Sequence, residues 1–225
     1  MEYQSIAIDG PAGAGKSTLA RKLAQELGFL YVDTGAIYRT VALSVLRSGA
    51  DPEDAAQISP LLEKLEVSMD YGPDGQQRMF LSGEDVSQAI REHQVSGLTS
   101  KVSAIPAVRD FLLEFQRKQA RARNVVMDGR DIGTVVLPQA DVKIFLTAAP
   151  EARAKRRWLE LQQRGQQADL DTILHDIIQR DYQDANRDVA PLRQSEDSIL
   201  VDTTQLTLEQ SLQTMLQVVK EKIHL

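Results

Sequence analysis

The segment Gly10-Pro11-Ala12-Gly13-Ala14-Gly15-Lys16-Ser17-Thr18 constrains this chain more than any other feature. It fits G-x-x-x-x-G-K-[ST] at every fixed position, and the pattern carries a mechanical requirement. A strand must deliver the chain to the turn, and a helix must leave it. Both flanks comply. Ser5 to Asp9 is a short β-prone run. From about Lys16 to Leu27 the residues Leu19, Ala20, Leu23, Ala24 and Leu27 recur at helical spacing, and Gly28 stands where a C-terminal glycine belongs. The glycines let successive backbone N–H groups converge on phosphate oxygens, and the helix N-terminus adds partial positive charge. In this reading Lys16 reaches the β- and γ-phosphates of a nucleoside triphosphate, and the Ser17 hydroxyl ligates Mg²⁺. A turn that merely packs tightly has no need of Lys-Ser after its last glycine.

The rest of the chain alternates strands and helices. Phe29 to Asp33 reads as a second strand, followed by a turn at Thr34-Gly35 and a helix from Ala36 to Ser48. Asp51 to Lys64 reads as helical. Glu66 to Tyr71 and Arg78 to Leu81 alternate apolar with polar residues around Gly72-Pro73-Asp74-Gly75, which predicts an antiparallel hairpin. That places a small insertion at about 63–90, standing off the core. Helices are expected from about Val86 to Ser103 and from Pro106 to Arg121, since Pro106 suits a first helical turn. Val125 to Asp128 and Val142 to Leu146 are buried-strand runs. Two charged helices, Pro150 to Arg164 and Leu170 to Arg187, are split by Gly165-Gln166-Gln167. Ile199 to Asp202 is a last strand, and Thr207 with Gln210 forms a capping box that opens the final helix. Short apolar strands alternating with helices predict an α/β fold: a parallel sheet between helical layers, with ligands beyond the carboxyl ends of the strands. Asp9, Asp33 and Asp128 each end a predicted strand there.

Composition narrows the class. The 225 residues carry 26 Lys and Arg against 32 Asp and Glu, a formal charge of −6, which argues against a general nucleic-acid binder. Cysteine is absent, so disulfides, thiolate metal sites and thiol nucleophiles are excluded. The start lacks the basic-then-apolar layout of a signal peptide, and no apolar run approaches the roughly 20 residues that span a bilayer. A soluble, cytoplasmic protein is expected, acting on small molecules without nucleic acid or membrane, as a monomer. His93, His175 and His224 show no metal-ligand spacing, and Trp158 stands alone. Neither Asp-x-x-Gly nor Asn-Lys-x-Asp occurs, which removes the GTPases.

Phosphoryl transfer needs two anionic substrates held in line with their charge neutralised. Candidate acceptor groups are therefore arginines near the strand ends. Arg39 lies in Asp33-Thr34-Gly35-Ala36-Ile37-Tyr38-Arg39, and Asp128-Gly129-Arg130-Asp131 follows the third core strand. Arg180, Asp184 and Arg187 share one helical face, the arginines about 10 Å apart along the axis. Arg153, Lys155, Arg156 and Arg157 open the preceding helix and could stack on adenine or clamp the transferring phosphate. Solvated, salt-bridged faces are the alternative reading of both helical clusters.

The phosphate loop, the Asp33–Arg39 segment, Asp128-Gly129-Arg130-Asp131-Ile132-Gly133-Thr134 and Asn186-Arg187-Asp188-Val189-Ala190-Pro191 together resemble bacterial cytidylate kinases. The likeness runs in order through nearly the whole chain and includes the hairpin insertion. It implies a three-layer P-loop kinase fold with a central parallel sheet, a small antiparallel β insertion and a helical lid. It implies one kinase domain over 1–225, with a core at about 1–33, 109–150 and 189–225. The monophosphate-binding region would lie at about 34–108 and the lid at about 151–188. The implied reaction is ATP plus CMP or dCMP to ADP plus CDP or dCDP, with Mg²⁺. Carried over by motif, Lys16, Arg130 and Arg187 would be catalytic, and Arg39, Arg130 and Arg187 would hold the CMP phosphate. Ser100, Arg109 and Asp131 would read cytosine, Arg180 with Asp184 would hold the ribose, and Thr34 and Tyr38 complete the CMP set. Gly10 to Thr18 with Arg156 and Arg157 would contact ATP. Thr34 stands where some members carry Ser, and either hydroxyl can hydrogen-bond. A kinase for another acceptor, such as UMP or shikimate, and a nucleotide-binding regulator without turnover are the rival readings.

Overall fold

The computed structural model describes residues 3–223; Met1, Glu2, His224 and Leu225, and the expectations that fall on them, lie outside. The first half of the chain holds β1 (Ser5–Asp9), α1 (Lys16–Leu27), β2 (Leu30–Asp33), α2 (Thr34–Ser48), α3 (Ala55–Leu62), β3 (Val67–Tyr71), β4 (Gln77–Leu81), β5 (Glu84–Asp85) and α4 (His93–Val102). The second half holds α5 (Pro106–Ala122), β6 (Val125–Gly129), β7 (Val142–Thr147), α6 (Pro150–Gln163), α7 (Leu170–Asn186), β8 (Ile199–Asp202) and α8 (Leu208–Lys222). Two units result, Met1–Tyr31 with Arg123–Leu225, and Val32–Ala122.

The large sheet runs in the order β2-β6-β1-β7-β8. β1 pairs in parallel with β6 and β7, and β7 with β8. Strand β1 sends Ile6 and Ile8 to one face, where they meet Val126, Ile144, Leu146 and Val201 under α1 and α8. Leu19, Ala20, Leu23 and Ala24 supply the α1 side, and Leu212, Met215, Leu216 and Val219 the α8 side. Burying each of the larger side chains contributes roughly 1.5–3 kcal/mol, which far exceeds the propensity of either helix. Alternation then turns Asp9 to the other face. There its carboxylate accepts the backbone N–H groups of Ile132 and Gly133, both at 2.7 Å. Those two residues open a π-helical turn, Ile132–Val136, that the sequence reading does not predict.

The second unit is built on α2, whose Ile37, Val41 and Val45 are buried. Its antiparallel sheet has the order β3-β4-β5, and the predicted turn closes it through Gly72 and Gly75 amides. The hairpin packs within this unit, with Met79 and Leu81 of β4 buried. The Asp33 N–H donates to Gln77 Oε1 at 2.7 Å, and Gln77 Nε2 donates back to the Asp33 carbonyl at 3.2 Å, which fixes the entry to α2. The helix expected over 86–103 is broken. Val86 donates its N–H to Met79 and so extends the small sheet, a 3-10 turn covers Ala89–Arg91, and α4 begins only at His93.

Candidate active site

The phosphate loop is shaped by its glycines, Gly10 most strictly. Gly10 has φ 149°, and a Cβ there would sit 1.9 Å from the Leu146 carbonyl oxygen. Gly13 and Gly15 also take positive φ, 74° and 88°. No side chain caps α1, so its first-turn N–H groups are offered to an anion. Lys16 folds back beneath the loop and donates Nζ to the Pro11 carbonyl at 2.8 Å. Burial, reinforced by Arg130, pushes its ammonium down to about 7, against the pull of Asp128, Asp9 and Asp184. Burial likewise raises Asp9 to about 6, although two backbone N–H bonds favour its charged form.

Asp128 in β6 joins the loop to β2. Its Oδ2 accepts the Ser17 hydroxyl at 2.9 Å, and its Oδ1 accepts the Tyr31 hydroxyl at 2.7 Å. A hydroxyl and a carboxylate are hard oxygen donors suited to Mg²⁺, which takes few protein ligands and completes its shell with substrate phosphates. Among the described residues no group of three His, Cys, Asp or Glu forms a metal cage of its own.

Beyond β6, Arg130, Arg180 and Arg187 act on Asp184. Arg130 Nε donates to Asp184 Oδ2 at 2.8 Å. Burial works against the Asp184 charge, but Arg130, helped by Arg180 and Arg187, holds its carboxyl below the usual value. Arg187 Nε donates to the Ala190 carbonyl at 2.7 Å, and Arg187 Nη2 lies 3.8 Å from Asp131 Oδ1 as an ion pair. So much charge in buried surroundings is costly unless paired or bound to ligand.

Arg156 and Arg157 part company. Arg156 donates to the Thr203 hydroxyl and carbonyl, near the end of β8. Arg157 makes an exposed 2.8 Å ion pair with Glu160. Next to the phosphate loop lies a cavity of about 470 Å³, lined among others by Pro11, Phe145, Ala148, Arg153, Leu192 and Thr204.

In the second unit, Asp33 caps α2 by accepting the Ala36 N–H at 2.9 Å, and it also accepts Arg39 Nη2 at 2.9 Å. Arg39 thereby folds over Gly35, where a Cβ would stand 3.0 Å from its Nη1. The Arg109 guanidinium lies 5.5 Å from the centre of the Tyr38 ring, and its Nη1 donates to the Ser103 carbonyl at 3.0 Å. Thr34 is buried at the start of α2, and half-buried Ser100 lies in α4.

A family model for cytidylate kinase matches residues 6–221. The chain belongs to the cytidylate kinase family. A cytidylate kinase of Caldicellulosiruptor bescii is 48% identical over 217 residues, 96% of each chain. One from Carboxydothermus hydrogenoformans is 49% identical over 217 residues, 96% of this chain and 97% of that one. Among solved structures, an uncharacterized protein from Eubacterium ventriosum aligns with a TM-score of 0.54 at 13% identity, over 96% of this chain and 98% of that one. That likeness concerns the fold alone. Within the cytidylate kinase frame, three residues stand out that sequence reasoning left without a role. Asp9 anchors the Ile132 and Gly133 amides, the Tyr31 hydroxyl donates to Asp128, and Asp181 accepts from Arg153. Only Asp9 carried a signal, its place at a strand end; the partners of the other two lie 28 and 97 residues away.

Proposed function

We propose that this chain transfers the γ-phosphate of ATP to CMP or dCMP, yielding ADP and CDP or dCDP, in pyrimidine nucleotide metabolism. The observation that carries the reading is the charge cluster at the ends of β1 and β6, where Lys16, Arg130, Asp184 and Arg187 meet in a chain of the cytidylate kinase family. The phosphate loop, Gly10 to Thr18, cradles the ATP phosphates, and Lys16 neutralises them. The cavity beside the loop has the size of a nucleoside site and takes the donor nucleoside, with Arg156 steadying the Thr203 backbone at its edge. Ser17 and Asp128 would hold Mg²⁺, which would supply positive charge against the triphosphate.

Arg39, Arg130 and Arg187 hold the acceptor phosphate, and Arg180 with Asp184 the ribose. Asp131 accepts from the cytosine amino group, while Arg109 and Ser100 serve its acceptor edge; a base with the opposite pattern leaves them unpaired. Thr34 and Tyr38 line the same CMP set. The second ionisation of a phosphate monoester lies near pH 6, so the attacking oxygen carries no proton at neutral pH and no general base is needed. An oxygen of CMP bonds to the γ-phosphorus as the bond to the β-phosphate oxygen breaks, and the electron pair leaves with ADP. Residues 151–188 act as the lid, 34–108 as the monophosphate-binding region, and the remainder as the core. No described helix is long and apolar enough to cross a membrane. The cytoplasm, where nucleotides are pooled, is the proposed location, and a monomer the proposed state.

Arg187→Ala tests the assignment. Removing a charged donor to the transferring or accepting phosphate should lower kcat about a hundredfold and raise the CMP KM roughly tenfold, with less than a threefold effect on ATP binding. Unchanged CMP kinetics in that variant would refute the role.

A further inference from the structure

Arg153 is the most deeply buried arginine of the charged helix α6, 3% exposed, and its hydrogen bonds run to Ala148, Ala12 and Asp181. Its guanidinium spans three segments. Nε donates to the Ala148 carbonyl at 2.8 Å, just past β7. Nη1 donates to the Ala12 carbonyl of the phosphate loop at 2.9 Å. Nη1 and Nη2 together grip Asp181 of α7, at 3.0 and 2.6 Å, in the forked geometry that only arginine provides. The stem lies against the next loop residue, for a Cβ on Gly13 would stand 3.5 Å from Arg153 Cβ. Asp181 in turn sits one residue after Arg180 and three before Asp184, the residue that holds Arg130. One rigid helix therefore touches the donor loop through Asp181–Arg153 and the acceptor arginines through Asp184–Arg130.

We propose that Arg153 and Asp181 are positioning residues that couple the two substrates: seating of α7 on the acceptor side sets the Ala12 carbonyl, and with it the shape of the phosphate loop. The inference rests on the phosphotransfer reading above. A desolvated arginine fork loses its geometry when either partner changes, because lysine supplies one point charge and asparagine a neutral acceptor. The loop amides then lose their alignment for the γ-phosphate, a loss felt in the transition state more than in ground-state binding.

The test uses the full-length protein and its Asp181→Asn and Arg153→Lys variants. Calorimetry gives the Kd of a non-hydrolysable ATP analogue with and without saturating CMP, and ADP release gives kcat and KM in the same preparations. The parent should bind the analogue at least fivefold more tightly when CMP is present. In Asp181→Asn that ratio should fall below twofold, and kcat should drop tenfold or more with the CMP KM changed less than threefold. Asp181→Glu should recover part of both. Arg153→Lys combined with Asp181→Asn should cost no more than the worse single variant, as expected of residues acting as one unit. A parent without CMP-dependent tightening overturns the proposal. So does a variant that melts lower but keeps kcat within twofold and the parent's ratio, since a plain strut between helices would do that. A parent that releases no ADP with CMP defeats the phosphotransfer reading instead, which keeps the two failures apart.

Discussion

Lys16 is caught between burial and charge. Desolvation and Arg130 bring its ammonium to about 7, while Asp128, Asp9 and Asp184 pull the other way. A polyphosphate placed against it adds negative charge and restores the ordinary lysine range. At pH 8 the side chain is mostly neutral before binding and protonated after, so binding of an ATP analogue should take up roughly one proton. Calorimetry in buffers of differing ionisation enthalpy measures that number; a value near zero would contradict the account. The same shift has a stability consequence with a definite sign. Between pH 7 and 10.5 the folded chain binds fewer protons at Lys16 than the unfolded chain, so this contribution to stability rises with pH across that window. Asp9 acts oppositely: its raised value makes the folded chain bind more protons between 3.8 and about 6, so its contribution falls as pH rises there. The placement of Lys16 and Ser17 in a strand–loop–helix turn was legible because its signals are local to one stretch of chain. Arg153 and Asp181 were not, because a bond between residues 28 apart on two charged helices leaves no periodicity to read.

Among the elements, those with strong local signals were placed well. β1 and β8 match the expected spans, and Thr207 caps α8 through the predicted box with Gln210. Losing such a cap costs about 1 kcal/mol. Thr207→Ala should lower Tm by about 2–4 °C for a chain this size, with kcat unchanged, in a thermal melt paired with the kinetic assay. A fall in kcat would mean that α8 does more than support the sheet. Helix α2 begins two residues earlier than expected, because the Asp33 side chain, not the turn residues, satisfies its first amides. β5 was missed since its two residues, Glu84 and Asp85, are exposed acids with no alternation to betray a strand. The π-helical turn after Asp131 was missed for a different reason: Asp9, over 120 residues earlier in the chain, specifies it.

At the scale of the whole molecule, an acidic chain gathers Arg130, Arg180 and Arg187 around Asp184. The formal charge of −6 is consistent with small anionic substrates being recognised by arginines at particular positions and not by a basic surface. The fold class followed from one loop plus the alternation of strands and helices, and the family match over residues 6–221 agrees with it. Which base the acceptor site prefers was never in the periodicity; it rests on Asp131, Arg109 and Ser100 as members of a family pattern. Their selectivity is the central claim, and ADP release from ATP across CMP, dCMP, UMP, AMP and GMP tests it most directly. The account predicts efficient turnover of CMP and dCMP, with kcat/KM for UMP lower by about tenfold or more and little with the purines. Near-equal turnover of UMP and CMP, or ATP binding with no ADP released on adding CMP, would contradict it.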